Sequence, residues 1–494
     1  MQKDELPYVV LQLQTSSVTE AVLESLAKHG FDTALMSVSS GSDLRRLKRL
    51  QSWAGEFGLS LIPMIVASDD LLASEEAIGQ LCESVLGMAK RVSMMLRGAQ
   101  CGDFKVTLRR VTQLVNRLRG HVLLLWLDLH EGVFSDDDLM NGIRKLSMQI
   151  EPRHICVNTS VPFGDPEAVL KLAQRHFGNV SLWVALTVEG AQFASGAEPL
   201  SACIPCGDHL RIFTYAAVLG SACGVILPNA DELMEHRQDL FKAASVASAE
   251  AKIMLPFWRG ACEVSDILDF AIERNGKPAD EHLRMRARCF ITKGSGDVEA
   301  VLSAVLWLPC SELRLPVGSY GLTLRYPISG WALGRTPRAY LLRFPSPKRL
   351  QVRFKSGLIT LSIPDFDVAE SVFISPNMPS VEELHWQMNA VGASVMQFEV
   401  QQALREFELA KAILNSLRGK VKQLSSGRLR VMGRLISSML SAARKRHAAN
   451  AIEMAKEFRR QYRSLLCDLA FGLKQSYAVR DGGHDDEGEA CRNT

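Results

Sequence analysis

Along the first half of the chain a series of apolar runs each stops at a polar or ionisable residue, and those stops are the positions able to carry chemistry. Asp69 and Asp70 follow the run Ser60–Val66, Arg97 follows Val92–Leu96, and Asp128, His130 and Glu131 close His121–Leu127. Asn158 ends His154–Asn158, Glu189 follows Ser181–Val188, and Asn229 and Asp231 follow Gly224–Leu227. Carboxylates at such positions can do acid–base work when a partly enclosed site drives their pKa values apart, and Asp128, Glu131 and Glu189 are carboxylates at these stops. Asp69, Arg97, His130, Asn158 and Asn229 offer carboxylate, guanidinium, imidazole and amide groups suited to holding a polar ligand. Plainer roles stand beside these: Glu189 as an exposed loop carboxylate, and Arg97 as an ion-pair partner of Asp69 or Glu189.

A second cluster, Cys203-Ile-Pro-Cys206 with His209, has two thiols and an imidazole at a spacing that starts a zinc site or a redox pair. No second Cys/His pair stands at ligand spacing, and His209 opens a helical run. Loop packing is therefore the expected role, with no metal.

The elements that must position these residues are legible from periodicity. Candidate strands Tyr8–Leu13, Thr33–Val38, Ser60–Val66, Val92–Leu96, His121–Leu127, His154–Asn158, Ser181–Val188 and Gly224–Leu227 are each followed by apolar residues at helical spacing, as with Val18, Val22 and Leu26. Runs apolar on both faces suit buried parallel strands, and eight β-α units within residues 1–260 predict a closed (β/α)8 barrel. In such a barrel function sits at the C-terminal strand ends, where the residues named above fall. A doubly wound sheet is the other architecture with this alternation, but its first turn is glycine-rich, and here it reads Gln14-Thr15-Ser16-Ser17. No phosphate-loop signature is present, and Gly294–Gly296 reads as a hairpin turn, so no cofactor is expected.

Residues 261–378 change texture. Leu283–Thr292, Val298–Leu308, Tyr320–Tyr326, Ala339–Phe344, Arg349–Phe354, Leu358–Ile363 and Ser371–Ile374 are short, often alternating and bounded by Gly, Pro and Ser, which predicts an antiparallel β-sandwich. From 379 to 480 long basic helices are predicted, opened by a capping box Ser380-Val-Glu-Glu383 and broken near Ser425-Ser426-Gly427. Residues 481–494, acidic and glycine-rich, are expected to be disordered.

The sequence His209-Leu-Arg-Ile-Phe-Thr-Tyr-Ala-Ala-Val-Leu-Gly-Ser-Ala-Cys-Gly-Val-Ile-Leu-Pro-Asn229 resembles the seventh helix and eighth strand of glycoside-hydrolase-like barrels. Ser181-Leu-Trp-Val-Ala-Leu-Thr-Val-Glu189 is similar to their seventh strand, which ends near a nucleophilic glutamate. The resemblance implies a saccharide ligand and Glu189 as nucleophile or base, with Asp128 or Glu131 as acid. It fails at strand four, where the clan places an Asn-Glu pair and this chain has Met94-Met-Leu-Arg97-Gly98-Ala, and after strand eight, where Pro228-Asn229 stands in place of a tryptophan. Hydrolysis needs two carboxyls about 5–5.5 Å apart for retention or about 6.5–9.5 Å for inversion. The expectation is a catalytically degenerate member acting as a carbohydrate-binding or interaction scaffold, with an active glycosidase as the alternative.

Charge and composition set the remaining expectations. Gln401 to Arg480 holds 17 Lys/Arg against 5 Asp/Glu, while the whole chain nets only +3, so the rest is acidic. The basic helices could meet an acidic protein partner, the barrel itself or solvent, and without aromatic interleaving they do not point to nucleic acid. The 11 cysteines form no compact framework and the opening residues contain no apolar leader core, which predicts free thiols in a cytoplasmic protein as given, or export if a further segment lies upstream. The longest apolar runs fall well short of the roughly 20 residues that span a bilayer.

Overall fold

The computed structural model describes residues 6–67, 69–72, 74–96, 111–112, 114, 116–127, 137–161, 164–178, 180–188, 205–261, 263–267, 269–274, 277–278, 285–293, 298–307, 320–326, 337–355, 358–376, 378–416 and 420–481. Strands β1 (Val9–Gln14), β2 (Thr33–Val38), β3 (Ser60–Ala67), β4 (Val92–Leu96), β5 (Val122–Leu127), β6 (His154–Val161), β7 (Ser181–Val188) and β8 (Gly224–Leu227) pair in that order. All the pairs are parallel, and β1 bonds to both β2 and β8, so the sheet closes on itself. The strand pleat divides each apolar run between two cores. Val10, Leu35, Met64, Leu124, Trp126, Cys156, Trp183, Ala185 and Ile226 fill the inside, while Val9, Leu11, Ala34, Met36, Ile155, Val157 and Val184 pack outward against the helices. Gly224 is required by this filling, since a Cβ there would come within 2.4 Å of the Trp183 ring.

The following unit has two antiparallel sheets. One takes the order β11 (Lys277–Pro278), β10 (Asp269–Arg274), β14 (Tyr320–Tyr326), β18 (Leu358–Phe366), β17 (Val352–Lys355). The other runs β16 (Lys348–Leu350), β15 (Arg338–Leu341), β19 (Ala369–Ser375), β13 (Val298–Trp307), β12 (Met285–Lys293), β9 (Glu263–Asp266). Trp307 of the second sheet meets Tyr320 and Phe366 of the first, with ring centroids 5.1 and 5.6 Å away, so the two sheets share one core. Two features depart from the sequence reading. The expected strand Arg349–Phe354 is two strands, β16 and β17, placed in different sheets, and β9, β10 and β11 were not anticipated. Residues 294–296, read as a hairpin turn, lie outside the described residues, but β12 and β13 on either side pair antiparallel.

Three long helices complete the chain: Met378–Ser416, Lys420–Arg444 and Ala448–Asp481, called here the first, second and third tail helices. The expected break at Ser425-Ser426-Gly427 is absent, because those residues lie inside the second helix. Ser426 and Gly427 are exposed, and a Cβ at Gly427 would meet nothing within 4 Å, so they weaken only the solvent side while Met432, Ile436 and Met439 hold the helix from within. The second and third helices instead part at Arg446, whose φ of 58° is left-handed. The expected capping box does not form: the first tail helix starts at Met378, so Ser380 is inside it, and Glu383 accepts a hydrogen bond from Gln387. Of residues 481–494, expected to be disordered, Asp481 ends the third tail helix and 482–494 lie outside the described residues.

What joins the three units is a buried lattice of charge. Arg463 of the third tail helix reaches Asp208 on the barrel helix Gly207–Leu219 at 2.5 Å and Asp367, between β18 and β19, at 3.0 Å. Arg211 on that barrel helix pairs with Glu250 at 2.6 Å, Arg459 with Glu399 of the first tail helix, and Lys456 with Asp365 at 3.0 Å. Burial alone would raise the Asp367 pKa, but Arg463, Lys456, Arg459 and Arg211 around it hold the carboxyl well below its ordinary range. Much of the basic character of the third tail helix is therefore spent on the chain's own acids. Arg463→Met would strand Asp208 and Asp367 in a dry interface and should cost about 3–5 kcal/mol in chemical denaturation.

His29 sits at the same seam. Its Nδ1–H donates to the Ser25 carbonyl at 2.6 Å, its Nε2 accepts from the Lys242 ammonium, and its ring stacks on Phe398 of the first tail helix at 4.9 Å. Burial lowers the His29 pKa, the Ser25 carbonyl opposes this, and Lys242 adds to the lowering. The folded state thus refuses a proton that the unfolded chain accepts near pH 6.5. This contribution is complete above that pH and is lost as the pH falls below it. His29→Phe should flatten that part of the pH dependence of the thermal midpoint between pH 7.5 and 5.5.

Candidate functional site

The open end of the barrel holds a cavity of about 340 Å³ built from inward-facing residues at the C-terminal strand ends. Within β1 the inward positions are Val10, Gln12 and Gln14, so the last two place amides where the other positions of the strand are apolar. Ser37 of β2, Met95 of β4, Trp126 of β5, Asn158 of β6, Thr187 of β7 and Asn229 after β8 continue the wall.

These groups are oriented by one another. Gln12 Nε2 donates to Ser37 Oγ at 2.7 Å, while its Oε1 accepts from the Asn229 backbone N–H at 2.7 Å, which fixes the amide from both ends. Thr15 Oγ1 donates to the Ser37 carbonyl. The Trp126 indole N–H donates to Asn158 Oδ1 at 2.5 Å, so the buried tryptophan is held by its polar edge. Asn229 adopts φ 48°, a left-handed turn that asparagine tolerates, between β8 and the helix Ala230–His236. Asp231 in that helix accepts from Ser17 Oγ at 2.6 Å and so ties the first turn to the last.

One carboxylate lines the cavity among the described residues, and it is already committed. Asp43 closes the capping box of the helix Gly41–Glu56, accepting from the backbone N–H groups of Ser39 and Ser40 at 3.0 Å each. The remaining polar lining is neutral: amides, hydroxyls and an indole.

Of the residues expected from sequence, Asn158 and Asn229 are brought together at this mouth. Asp69 lies in a four-residue helix, Asp69–Leu72, just after β3. Arg97, Asp128, His130, Glu131 and Glu189 lie outside the described residues, although the strands leading into Asp128 and Glu189 end at the mouth with Leu127 and Val188. Gln12, Gln14, Ser37 and Thr187 were missed, and the missed signal was polarity on the inward face of an otherwise apolar strand. Trp126, inside the strand Val122–Leu127, is also part of the wall.

The Cys206–His209 pair has a structural role. Cys206 is the N-cap residue of Gly207–Leu219, its N–H donates to His209 Nδ1 at 3.2 Å, and its Sγ lies 3.1 Å from the same nitrogen. Burial and the neighbouring Asp208 and Glu406 push the Cys206 thiol far up, which keeps it protonated and unreactive. Cys203 lies outside the described residues. Cys82, Cys156, Cys206, Cys223 and Cys289 are free thiols, and among the described residues no helix is long and apolar enough to cross a membrane.

The Gln12 clamp makes a distinction that can be measured. Gln12→Met keeps volume but leaves the Asn229 N–H and Ser37 Oγ without their partner, at a cost of about 1–3 kcal/mol. Gln14→Met, whose donated bond to Asn229 Oδ1 is long at 3.5 Å, should cost less than half as much in urea denaturation.

No family model matches the chain, and no curated protein does. Among solved structures it is similar to a family 51 α-L-arabinofuranosidase from Bifidobacterium longum, at 9% identity and TM-score 0.40 over 75% of this chain and 97% of that one. It is similar also to α-L-fucosidase isoenzyme 2 from Paenibacillus thiaminolyticus, at 8% identity and TM-score 0.38 over 75% of this chain and 100% of that one. A truncated 3-deoxy-D-arabino-heptulosonate 7-phosphate synthase from Thermotoga maritima matches at 14% identity and TM-score 0.34 over 51% of this chain and 88% of that one. These superpositions are loose and no residue role is transferred from them. By its own strand order and pairing, the chain is a closed (β/α)8 barrel followed by antiparallel sheets and C-terminal helices, and glycoside hydrolases are among the solved structures it is similar to.

Proposed function

We propose that this protein is a glycoside-hydrolase-like barrel that binds a saccharide at its mouth without hydrolysing it. The observation that carries this reading is the lining: Gln12, Gln14, Ser37, Asn158, Thr187 and Asn229 present amide and hydroxyl groups around a cavity of about 340 Å³. Such groups match the alternating donors and acceptors of a polyol, and the volume falls at the small end of the range of about 300–1,000 Å³ for small-molecule sites. Pre-oriented groups such as the Gln12 amide lose little entropy when a ligand binds. At the end of β4 the wall is supplied by the Met95 side chain, where the resembling enzymes would carry their acid.

In this reading Asn158 and Asn229 contact the sugar hydroxyls. Asp69, Arg97 and His130 are assigned to the rim, and Glu189, Asp128 and Glu131 serve as acceptors rather than as a working acid–base pair. Calorimetric titration with a panel of neutral mono- and disaccharides should find a ligand, and Trp126→Phe, by leaving Asn158 without its indole donor, should weaken it about tenfold. An aryl-glycoside panel should show no turnover by the wild type. Turnover abolished by Glu189→Gln would replace this reading with an active hydrolase, and a ligand whose affinity ignores Trp126→Phe would place binding elsewhere.

A further inference from the structure

The outside of the barrel, between its first two helices Glu20–Lys28 and Gly41–Glu56, is cut by an open groove of about 810 Å³. Leu50, Trp53 and Phe57 supply its apolar lining, and Trp53 is 37% exposed. The two walls differ in sign. The first helix presents Glu20 and Glu24 to the groove, and the second presents Arg46 and Arg49. Along each helix these like charges stand three or four residues apart, a spacing at which they repel. The walls do not neutralise each other. Glu24 pairs with Lys28 of its own helix at 2.7 Å, and Arg46 donates to the Val18 carbonyl at 2.9 Å. Glu20 and Arg49 are exposed and have no ion-pair partner among the described residues.

We propose that a second copy of this chain docks on this groove, related by a two-fold axis parallel to the two helices. The charge pattern selects both the occupant and the axis. A rotation about that axis lays the acidic wall of each copy over the basic wall of the other, whereas a two-fold running across the helices would set acid on acid and base on base. The heights agree as well. Helices of successive β-α units run in the same direction, and the Arg46–Val18 hydrogen bond brings Arg46 level with the start of the first helix. Arg49, about one turn further on, then falls opposite the turn from Glu20 to Glu24, and rotation about an axis along the helices preserves height. Each contact is made twice, and both Trp53 rings are covered. A peptide helix from another protein would need the same divided charge to satisfy both walls, and this chain's own face already carries it. The contact is narrower than a standard interface, so the dimer is weak, with Kd on the order of 10–100 µM.

The test is sedimentation equilibrium of the full chain over a range of concentrations. The wild type should pass from monomer to dimer, and added salt should weaken the dimer. Arg49→Glu and Glu20→Arg, each confirmed as folded by circular dichroism, should each weaken it about tenfold, because each sets like charges together twice. Both substitutions in one chain should recover the wild-type affinity to within about threefold. An equimolar mixture of the two single variants should form the heterodimer in preference to either homodimer, a result that loss of folding could not produce. The proposal is overturned by a wild type that stays monomeric at about ten times the upper Kd given above. It is equally overturned by a dimer indifferent to Arg49→Glu, or by losses that neither the double variant nor the mixture restores. A monomeric wild type that binds a zwitterionic amphiphile, with the binding lost in Arg49→Glu, would assign the groove to a small ligand instead of a second copy.

Discussion

The arrangement of the whole chain turns on Arg463. Its guanidinium is shared between Asp208 on a barrel helix and Asp367 in the β-domain, and it is carried on the last helix of the tail, so one side chain holds three units in register. Around it Arg211, Arg343, Lys456, Arg459 and Arg460 face Glu250, Asp365, Glu370 and Glu399. A buried lattice of this kind adds little net stability over a well-packed apolar seam, because desolvation offsets most of the attraction. Its effect is on specificity: a tail docked one helical turn out of place would leave several ions buried without a partner. Close approach at the same seam depends on Gly207, where a Cβ would lie 2.1 Å from Gln402 Nε2 of the first tail helix.

That lattice explains why the unusual charge of residues 401–480 did not reveal its purpose in the sequence. Composition counts cations without saying which way they point. On the third helix Lys456, Arg459 and Arg463 turn inward and are consumed, while on the second helix Arg430 and Arg434 turn outward and are not. The same helix pair shows the limit of breaker rules. Ser425-Ser426-Gly427 has the composition of a turn, but Ser426 and Gly427 are exposed, and the cost of about 1 kcal/mol for a helical glycine is outweighed by the packed opposite face. Arg446 has no turn composition yet carries the left-handed φ that separates the helices.

Seven of the eight barrel strands were legible to within one residue at each end because both faces of the strands are apolar, so each run is continuous and its end abrupt; β6 runs three residues past the expected end at Asn158. Charged, largely exposed strands such as Asp269–Arg274 give no such run, and they were missed: only Phe270 and Ile272 alternate, opposite Leu324 and Leu322 of β14. The site was legible in part. Asn229 was found because it follows a strand end and Asn158 because it interrupts an apolar run, although β6 continues past it to Val161; Gln12 and Ser37 are placed by strand parity, a weaker sequence signal than an abrupt change from apolar to polar.

Parity also bears on what the mouth can do. Proceeding inward along the barrel, the interior passes from Gln12, Ser37 and Asn158 to Val10, Leu35 and Ile226, with the Trp183 ring seated on Gly224. The polar layer is shallow, with an apolar plug beneath it, so a ligand can be held only by the mouth and by whatever the strand-end loops add above. The inward amides are tied to each other across β1, β2 and β8, and therefore to barrel closure itself. Polar groups fixed by the closing strands are rigid and cannot be rearranged without opening the barrel. Under the proposed reading, recognition would rest on groups fixed by barrel closure and so would persist for as long as the barrel stays closed.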